Sequence, residues 1–471
     1  MKKWSKRKIQ MNFWERKEMQ TIKNVKSNML TGNIFRSMVL FAIPIFFSSV
    51  FQQLYNMVDT IVVGHALGEH ALASVGAAAP VYNLLMGFAL GIGSGMSIVI
   101  ARCFGAKEEE KLKAAVAAAI RIGIAVSVIM TISSLGLLKP FLNVLNTPPE
   151  IFDGAYRYAS TILACMCVMF AYNLCAGILR AIGNSLMPLV FLIISSILNI
   201  FLDIFLIVGL KMGVQGAAIA TVISQGVSVV LCLIYIVKRA KLLLPEKRHF
   251  QYDKKLYGDM FAQGLSMALM HCFVSAGSAI LQAGINDLGS LVIAGHTAAQ
   301  KMFIFGLLPF SAMISATGTF VSQNFGAGKI DRIRQGMKYS YLYNVAATAL
   351  IVFVFTCFGP QMIRMISGSE EAVIIENGTK YLRIVAPFYL ILGLVNNTRT
   401  ALQAIGSKIL PIFSSIIELI GKILFLILLI PKFQYDAVIF CEPVIWCFMA
   451  MELLLAFWTN PRIKVEKSQS V

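Results

Sequence analysis

Long apolar stretches recur along this chain, and they limit its fold more than any other feature of the sequence. Each has about 20 residues or more, the length that an α-helix needs to cross a hydrocarbon layer of about 30 Å. A β-barrel is excluded because the apolar runs are continuous rather than alternating, and an open strand would leave backbone groups unpaired in lipid. Twelve such stretches lie near 37–63, 74–101, 114–138, 158–181, 187–209, 214–237, 259–284, 291–324, 337–361, 379–404, 409–430 and 437–458. With 58% hydrophobic and 14% charged residues, the sequence predicts an all-α integral membrane protein with twelve transmembrane helices.

The second half of the chain repeats the first. The run LRAIGNSLMPL at 179–189 returns as LQAIGSKILPI at 402–412, an offset of 223 positions, and Phe-Gly-Ala at 104–106 returns at 325–327. Six spans in each unit give both units the same orientation, as in parallel repeats related by an axis along the membrane normal. The sequence therefore predicts two pseudo-symmetric six-helix bundles around a central cavity, the arrangement of many transporters.

The positions of Lys and Arg predict the domain limits and the orientation. We expect a basic cytoplasmic segment at 1–34, a six-helix bundle at 35–239, a cytoplasmic linker at 240–257, a second six-helix bundle at 258–460 and a cytoplasmic tail at 461–471. Basic residues cluster before the first span and in every second connection, which is the pattern of cytoplasmic loops. Both termini are thus predicted to be cytoplasmic, in a multi-pass protein of the inner (plasma) membrane. This bias also accounts for the net charge of +18.

Several functional classes have little support in the sequence. The basic residues sit at the ends of spans rather than on a separate domain with stacking aromatics, so nucleic acid is not an expected partner. Nine cysteines and five histidines form neither a disulfide framework nor a cluster with metal-ligand spacing. We therefore expect no enzyme, no cofactor and no metal site beyond a possible Na⁺ site, and we expect a monomer whose partners are the lipid bilayer and small molecules.

Several motifs resemble those of the multidrug and toxic compound extrusion (MATE) family, closest to its bacterial, DinF-like branch. They are FQQLYNMVDTIVVG at 51–64, LASVGAAAP at 72–80, the FGAK and FGAG loops after spans two and eight, and the twin AIG turns. The resemblance covers nearly all of the chain after about residue 34. It implies a secondary antiporter that exports organic cations or amphipathic drugs in exchange for H⁺ or Na⁺ by alternating access. A lipid-linked oligosaccharide flippase of the same superfamily is the alternative, although it would need more basic residues at mid-membrane.

Two acids inside spans are the main candidates for binding the coupling ion. Asp59 in span one and Asp203 in span five fall in the outer half of the membrane, where an ionisable side chain is costly and commonly functional. Asn199 lies one helical turn before Asp203 on the same face, and Thr221 in span six reaches a similar depth. Such a set can bind a hard monovalent cation or share a proton between two acids. A purely structural role, with each acid bonded to a neighbouring helix, is the alternative.

The resemblance adds residues to this set. Asp59, Asn199, Asp203 and Thr221 fall where members of the family with a cation site in this half have their ligands. Tyr55, one turn before Asp59, and Asn173 in span four match the surrounding hydrogen-bond network. In the mechanism that we expect, cation binding alters span one, and Pro44, which lacks a backbone donor, is the predicted hinge. The alternative for Pro44 is a static kink.

The second half of the chain has a different set of charges at the equivalent positions. The offset of 223 places Lys422 opposite Asn199 and Leu426 opposite Asp203, and only Ser278 or Gln282 is available opposite Asp59. Glu418 precedes Lys422 by one turn, a spacing that allows the pair to neutralise itself. Glu418, Lys422 and Gln282 are therefore candidates for a substrate site or a second ion site, with a self-satisfied pair as the alternative. The predicted ion coupling belongs to the first unit alone.

Overall fold

The first half of the molecule is a bundle of seven helices. The structure is a computed structural model that describes residues 29–145 and 147–464, so most of the predicted basic segment and most of the predicted tail lie outside the described residues. We number the helices in chain order. Those of the first bundle are α1 (Ile34–Leu67), α2 (Glu69–Gly105), α3 (Glu109–Val144), α4 (Pro149–Ala164), α5 (Met166–Ala181), α6 (Leu186–Asp203) and α7 (Val214–Arg239).

A second bundle of seven helices follows. Two short 3₁₀ turns, Lys241–Leu243 and Lys247–Phe250, lie in the linker between the bundles. The helices of the second bundle are α8 (Lys254–Asn286), α9 (Ser290–Gly326), α10 (Ile330–Ser367), α11 (Ala372–Val385), α12 (Tyr389–Ala404), α13 (Ile409–Leu424) and α14 (Ile430–Trp458).

These fourteen helices make twelve spans. Helices α4 and α5 meet at an angle of 49° and pass a membrane-span test together, as one broken span. Helices α11 and α12 are likewise one span, broken by a 3₁₀ turn at Ala386–Phe388. The continuous run Ile409–Trp458 is 50 residues long, more than twice what one span needs, and it is interrupted at Gln434, whose φ is 48°. Helices α13 and α14 pack side by side as two spans. The predicted helical class and span count are confirmed.

The helix boundaries repeat along with the sequence. Helices α4, α5 and α6 begin at 149, 166 and 186, and α11, α12 and α13 begin 223 positions later at 372, 389 and 409. A turn of π-helix follows α6 at Ile204–Gly209, and another follows α13 at Phe425–Leu429. Because even these irregular turns recur, the two bundles have the same local architecture and differ mainly in their side chains.

The turns between helices define two ends of the molecule. The linker end holds the start of α1, the linker itself and the short turns after Gly105, Ala181 and Gly326. The far end holds the turns around 68, 147, 212, 288 and 369. The surface between the two ends carries many exposed apolar side chains, among them Ile132, Phe201, Leu350 and Ile427, each more than 60% exposed. An apolar surface of this extent fits a lipid environment.

The first helix of each bundle crosses into the other bundle. Near the linker end, buried residues of α1 such as Met38 and Phe41 belong to the hydrophobic core of the second bundle. Residues of α8 near the linker end, such as Met260, belong to the core of the first bundle. Toward the far end α1 returns to its own bundle, where Val63 packs with Ile207. Pro44 lies at the end of the swapped part of α1, so the predicted hinge coincides with the place where this helix passes between the two bundles.

Close glycine contacts join the bundles at the linker end. A Cβ atom added to Gly105 of α2 would lie 1.9 Å from the Gln323 carbonyl oxygen, and one added to Gly326 of α9 would lie 2.0 Å from the Arg102 carbonyl oxygen. These glycines are the central residues of the repeated Phe-Gly-Ala motif, and the two helix ends can touch only because both lack a side chain. The motif therefore serves the contact between bundles.

Ion pairs and hydrogen bonds reinforce the same contact. The Arg102 guanidinium of α2 pairs with the Asp259 carboxylate of α8 at 3.1 Å, and the same carboxylate pairs with Lys408 at 2.7 Å. The Gln323 side-chain amide of α9 donates to the Ala181 carbonyl oxygen at 2.7 Å. The bundles are thus fastened together at the linker end in this conformation.

Candidate functional site

Asp59 and Asp203 meet inside the first bundle. Asp203 is the last residue of α6, directly before the π-helical turn, and it is completely buried. Asp59 is half-buried on α1, and its carboxyl group lies close enough to that of Asp203 for the two to interact. An ionised carboxylate only accepts hydrogen bonds, so two of them in contact need a proton or a cation between them.

Asn199 and Thr221 complete the surroundings of this acid pair. The Asn199 side-chain amide donates to Asp203 Oδ2 at 2.9 Å, and its oxygen accepts from the Thr221 backbone N–H at 3.3 Å. Tyr55 of α1 shares a hydrogen bond of 3.2 Å with the Thr221 hydroxyl. Residues of α1, α6 and α7 that are far apart in sequence therefore form one polar group, which we call the acid site.

The acid site has unused acceptors and no built-in cation. Asp59 Oδ1 and Asp203 Oδ1 are both buried and have no hydrogen-bond partner among the described residues. Within residues 29–145 and 147–464, no Lys, Arg or His nitrogen forms an ion pair with either acid. Hard cations are bound by carboxylate, amide and hydroxyl oxygens, all of which are present at this site. The donor set fits a proton or a small cation, and no cluster of three or more His, Cys, Asp or Glu suited to other metals occurs among these residues.

Two tyrosines near the acid site were not predicted from the sequence. Tyr82 of α2 and Tyr158 of α4 lie close enough to Asp59 to interact with its charge, and both are largely buried. Tyr158 directly follows Arg157 near the far end of its span, a position typical of an interfacial anchor. The repeat gives a signal for an internal position, because the offset of 223 pairs Tyr158 with Tyr381. Tyr381 is buried in the core of the second bundle, where its hydroxyl accepts a hydrogen bond from Gln300 at 2.9 Å.

Asn173 does not join the acid site, contrary to what the resemblance implied. Its side-chain amide donates to the Met169 carbonyl oxygen of its own helix at 2.9 Å, and the residue lines a cavity between the bundles. The reason is depth, because Asn173 lies eight residues from the linker end of α5, whereas Asp59 lies eight residues from the far end of α1. Pro44 lies within α1, and the Ser48 hydroxyl donates to the Pro44 carbonyl oxygen at 2.8 Å, a contact that often bends helices.

The second bundle holds a cluster of ion pairs where the first holds the acid site. The Lys422 ammonium pairs with Glu418 at 3.1 Å and with Glu442 of α14 at 3.1 Å, and its accessible fraction is only 1%. The pair predicted from the i,i+4 spacing thus forms, with a second acid added. Ser278 of α8 accepts a hydrogen bond from Lys422 at 3.4 Å.

Gln282 is not part of this cluster. Its side-chain amide donates to Asn286 Oδ1 at 2.9 Å along α8, and the residue is exposed. Gln282 lies one turn beyond Ser278, closer to the far end, so the helix carries it past the level of Lys422. The prediction that grouped Gln282 with Glu418 and Lys422 is not supported by the geometry.

Two cavities lie next to these charges. One of about 440 Å³ is bordered by Glu418, Lys422, Glu442, His271 and Arg399 together with apolar side chains. Another of about 170 Å³ lies between the bundles and is lined by Arg180 of α5 and by hydroxyl side chains. Both cavities include Met267, Ile314 and Thr400 in their walls, so they adjoin each other. Arg180 and Arg399 were not candidates in the sequence, although an arginine inside an apolar run is a sufficient signal to find them.

Comparisons with known proteins agree with this architecture. The family described as MatE matches residues 44–205 and 266–428, one match in each repeat. The probable multidrug resistance protein YoeA of Bacillus subtilis is 29% identical over 400 residues, which cover 83% of this chain and 85% of that protein. The multidrug export protein MepA of Staphylococcus saprophyticus is 21% identical, covering 93% of this chain and 97% of that protein.

A solved structure gives the same fold. It is described as the outward-facing conformation of a multidrug resistance MATE family transporter of the MOP superfamily. It superposes with a TM-score of 0.85 at 24% sequence identity, and the alignment covers 93% of this chain and 98% of that one. At this level of identity the likeness establishes the arrangement of helices.

Proposed function

Because this chain belongs to the MatE family of multidrug and toxic compound extrusion transporters, we propose that it is a secondary antiporter that exports drugs in exchange for H⁺ or Na⁺. Its relatives named as multidrug resistance and multidrug export proteins support the drug substrates. Organic cations, the class implied by the family resemblance, remain a prediction. The proposed activity is transport rather than catalysis, and no cofactor beyond the coupling ion is proposed.

The acid site is the observation that carries the antiport proposal. Asp59 and Asp203 lie close enough to interact, each has a buried oxygen without a partner, and no cationic side chain pairs with them within the described residues. Two acids in this situation repel each other when both are ionised. Binding of H⁺ or Na⁺ removes that repulsion, so occupancy of the site changes the force between α1 and α6.

The path of α1 links the acid site to the contact between bundles. Its far-end half carries Tyr55 and Asp59, whereas its linker-end half packs in the core of the second bundle. A change in the packing of Asp59 against Asp203 therefore acts on a helix that is held by both bundles. We propose that α1 bends at Pro44 when the ion binds and that this motion couples the ion to alternating access.

The membrane orientation is part of the same proposal. The linker end carries the basic residues of the linker, Lys107 and Lys329, and we assign it to the cytoplasm by the positive-inside rule. The protein is then a multi-pass plasma-membrane protein with both termini cytoplasmic, and we propose that it acts as a monomer. One charge that crosses a potential of about 100 mV supplies about 2.3 kcal/mol, enough for nearly two decades of drug gradient.

Drug uptake into everted vesicles tests the proposal, because an exporter in an inverted membrane moves its substrate into the lumen. Asp59→Asn removes one acid and the need for a proton or cation between the pair, so gradient-driven drug transport should fall to the level of vesicles without the protein. Asp153→Asn is the matched control, because Asp153 is an exposed acid at the far end that pairs with Arg157. Undiminished cation-driven transport by a folded Asp59→Asn protein would disprove the coupling role.

A further inference from the structure

Two arginines, the buried Arg399 and the half-buried Arg180, border the adjoining cavities between and within the bundles. Arg399 lies on α12 in the wall of the 440 Å³ cavity, and Arg180 lies on α5 in the wall of the 170 Å³ cavity. The two helices are equivalent in the repeat, but the arginines are not at equivalent positions, since Arg180 corresponds to Gln403. Neither arginine takes part in the acid site, so the antiport proposal leaves their role open.

Arg399 is buried without an anion at hydrogen-bonding distance. It is 6% exposed, its Nε donates to the Ser414 hydroxyl at 3.0 Å, and its Nη2 has no hydrogen-bond partner among the described residues. The nearest ion-pair contact joins Nη2 to Glu418 Oε2 at 4.0 Å, too long for a hydrogen bond. A buried guanidinium without a close partner is energetically unfavourable.

The two acids of the larger cavity are already engaged by another cation. Lys422 holds both Glu418 and Glu442 at 3.1 Å, whereas the contact from Glu418 to Arg399 is longer. Glu452 of α14 lies near enough to Arg399 for their charges to interact, but both Glu452 carboxylate oxygens lack hydrogen-bond partners in the described residues. The cavity therefore contains a cation whose donors are still available.

The adjoining cavity of about 170 Å³ has a positively charged side chain in its wall and no negatively charged one. The Arg180 Nε donates only to the Ala176 carbonyl oxygen of its own helix, at 3.3 Å, and no described acid pairs with it. No Asp or Glu occurs in the wall of this cavity. Its other polar side chains include Ser94, Ser97, Ser315, Thr319, Ser322 and Thr400. Hydroxyls can donate to an oxyanion, so this wall suits a negative group as well.

The rest of the larger cavity is apolar and adaptable. Met270, Phe303, Trp446 and Met449 form parts of its wall, and Phe303 stacks on Trp446 with their ring centroids 6.1 Å apart. Methionine and aromatic surfaces accommodate ligands of varied shape. A ligand that satisfies both features has an apolar body and an anionic group.

We propose that these adjoining cavities bind the transported molecule and that Arg399, with Arg180 in the wall of the adjoining cavity, anchors a carboxylate of an amphipathic substrate. The planar guanidinium offers two parallel donors that match the two oxygens of a carboxylate. The substrate class is thus acidic or zwitterionic amphipathic molecules rather than simple monocations. This inference rests on the proposed drug export and specifies the substrate of that function.

A pair of dyes that differ only at the carboxylate tests the proposal. Rhodamine B is a zwitterion with a free benzoate, and its ethyl ester is a monocation with the same chromophore. Binding of each dye to the full chain in phosphatidylcholine nanodiscs is measured by fluorescence anisotropy. The wild-type protein should bind the free acid more tightly than the ester. Arg399→Gln should weaken binding of the acid by about tenfold or more, and that of the ester by less than about twofold.

Further variants separate charge recognition from general damage. Arg180→Gln should lower the affinity for the acid in the same direction but by less, and Arg399→Lys should give an intermediate loss because it keeps the charge without the planar fork. Lys301→Gln is the matched control, since Lys301 is an exposed cation on α9 outside both cavity walls. Equal loss of both dyes in Arg399→Gln, or no preference for the acid in the wild type, would overturn the assignment.

The test also separates a substrate carboxylate from a lipid head group. If phosphatidylglycerol in the nanodiscs displaces rhodamine B from the wild type, the arginines bind an anionic lipid and the proposal is wrong. The binding measurement needs no ion gradient, so a preference for the acid stands even if the antiport proposal fails. Conversely, a missing preference leaves the role of Asp59 and Asp203 intact.

Discussion

The two bundles share one architecture but differ in the side chains that surround their buried acids. Asn199 and Lys422 occupy the same position of the repeat, one turn before the equivalent π-helical turns. In the first bundle the neutral Asn199 amide donates to Asp203, and both acids keep an oxygen without a partner. In the second bundle the Lys422 ammonium lies between two acids, which it holds at equal distances.

This difference suggests how a duplicated scaffold acquires one coupling site instead of two. A fixed ammonium does in the second bundle what we propose that a mobile H⁺ or Na⁺ does in the first. Because Lys422 is covalently attached, the counter-charge of the second bundle cannot leave the protein. Under our proposal the counter-charge of the first bundle comes and goes with the ion, so that its packing responds to the gradient.

The largest expected effect comes from making the first bundle resemble the second. Asn199→Lys places an ammonium beside Asp203, where it should substitute permanently for the coupling ion. Gradient-driven drug export in proteoliposomes should fall to the level of protein-free vesicles. Asn199→Met removes the hydrogen bond without adding a charge, and it should retain part of the export. If the lysine variant exports like the wild type, the acid site does not need to exchange an ion.

The converse change should affect stability. Lys422→Met leaves Glu418 and Glu442 buried without their cation, and removal of one partner from a buried ion pair costs about 3 to 5 kcal/mol. The free energy of unfolding in detergent should fall by this amount. Lys422→Met combined with Glu418→Gln and Glu442→Gln should recover most of it, because no uncompensated charge remains. A single variant as stable as the wild type would show that the cluster is not a structural counterpart of the acid site.

The smallest effect is expected where the two bundles are most alike. Gly105→Ala and Gly326→Ala each place a methyl group against backbone at about 2 Å, so each should weaken the linker-end contact by about 1 to 3 kcal/mol. The other cysteines are first replaced, so that maleimide can label only Cys103. The labelling rate should rise to a similar extent in both variants. Gly93→Ala is the control, since a Cβ there meets nothing within 4 Å. Labelling of the Gly105 and Gly326 variants at the control rate would contradict a role for these glycines in closure.

The parts of the fold that depend on local sequence were predictable. Span length, the offset of 223 and the i,i+4 spacing of Glu418 and Lys422 are properties of single helices and of their order. The meeting of Asp59 with Asp203 could be predicted because equal depth in a membrane restricts where two side chains can be. Depth is read directly from the position of a residue within its span.

The rotation of helices and the exchange between bundles were not predictable in this way. Depth within the span would have excluded Asn173 from the acid site, since it lies near the linker end of α5, where it lines the cavity between the bundles. Arg180 and Arg399 could have been identified as charges inside spans, but the sequence does not show which cavity each of them faces. The exchange of α1 and α8 between the two cores depends on tertiary packing, which the order of the helices in the chain does not encode.

The central claim is that ion coupling belongs to the first bundle alone, and the ratio of cations moved to drug exported tests it most directly. The ratio is measured in proteoliposomes with internal dyes for pH and Na⁺, so it does not depend on a change in rate. We predict that Asp203→Asn abolishes the drug-coupled cation flux, whereas Glu418→Gln in the second bundle leaves the ratio at its wild-type value. An unchanged ratio in Asp203→Asn, or a lowered ratio in Glu418→Gln, would contradict the claim.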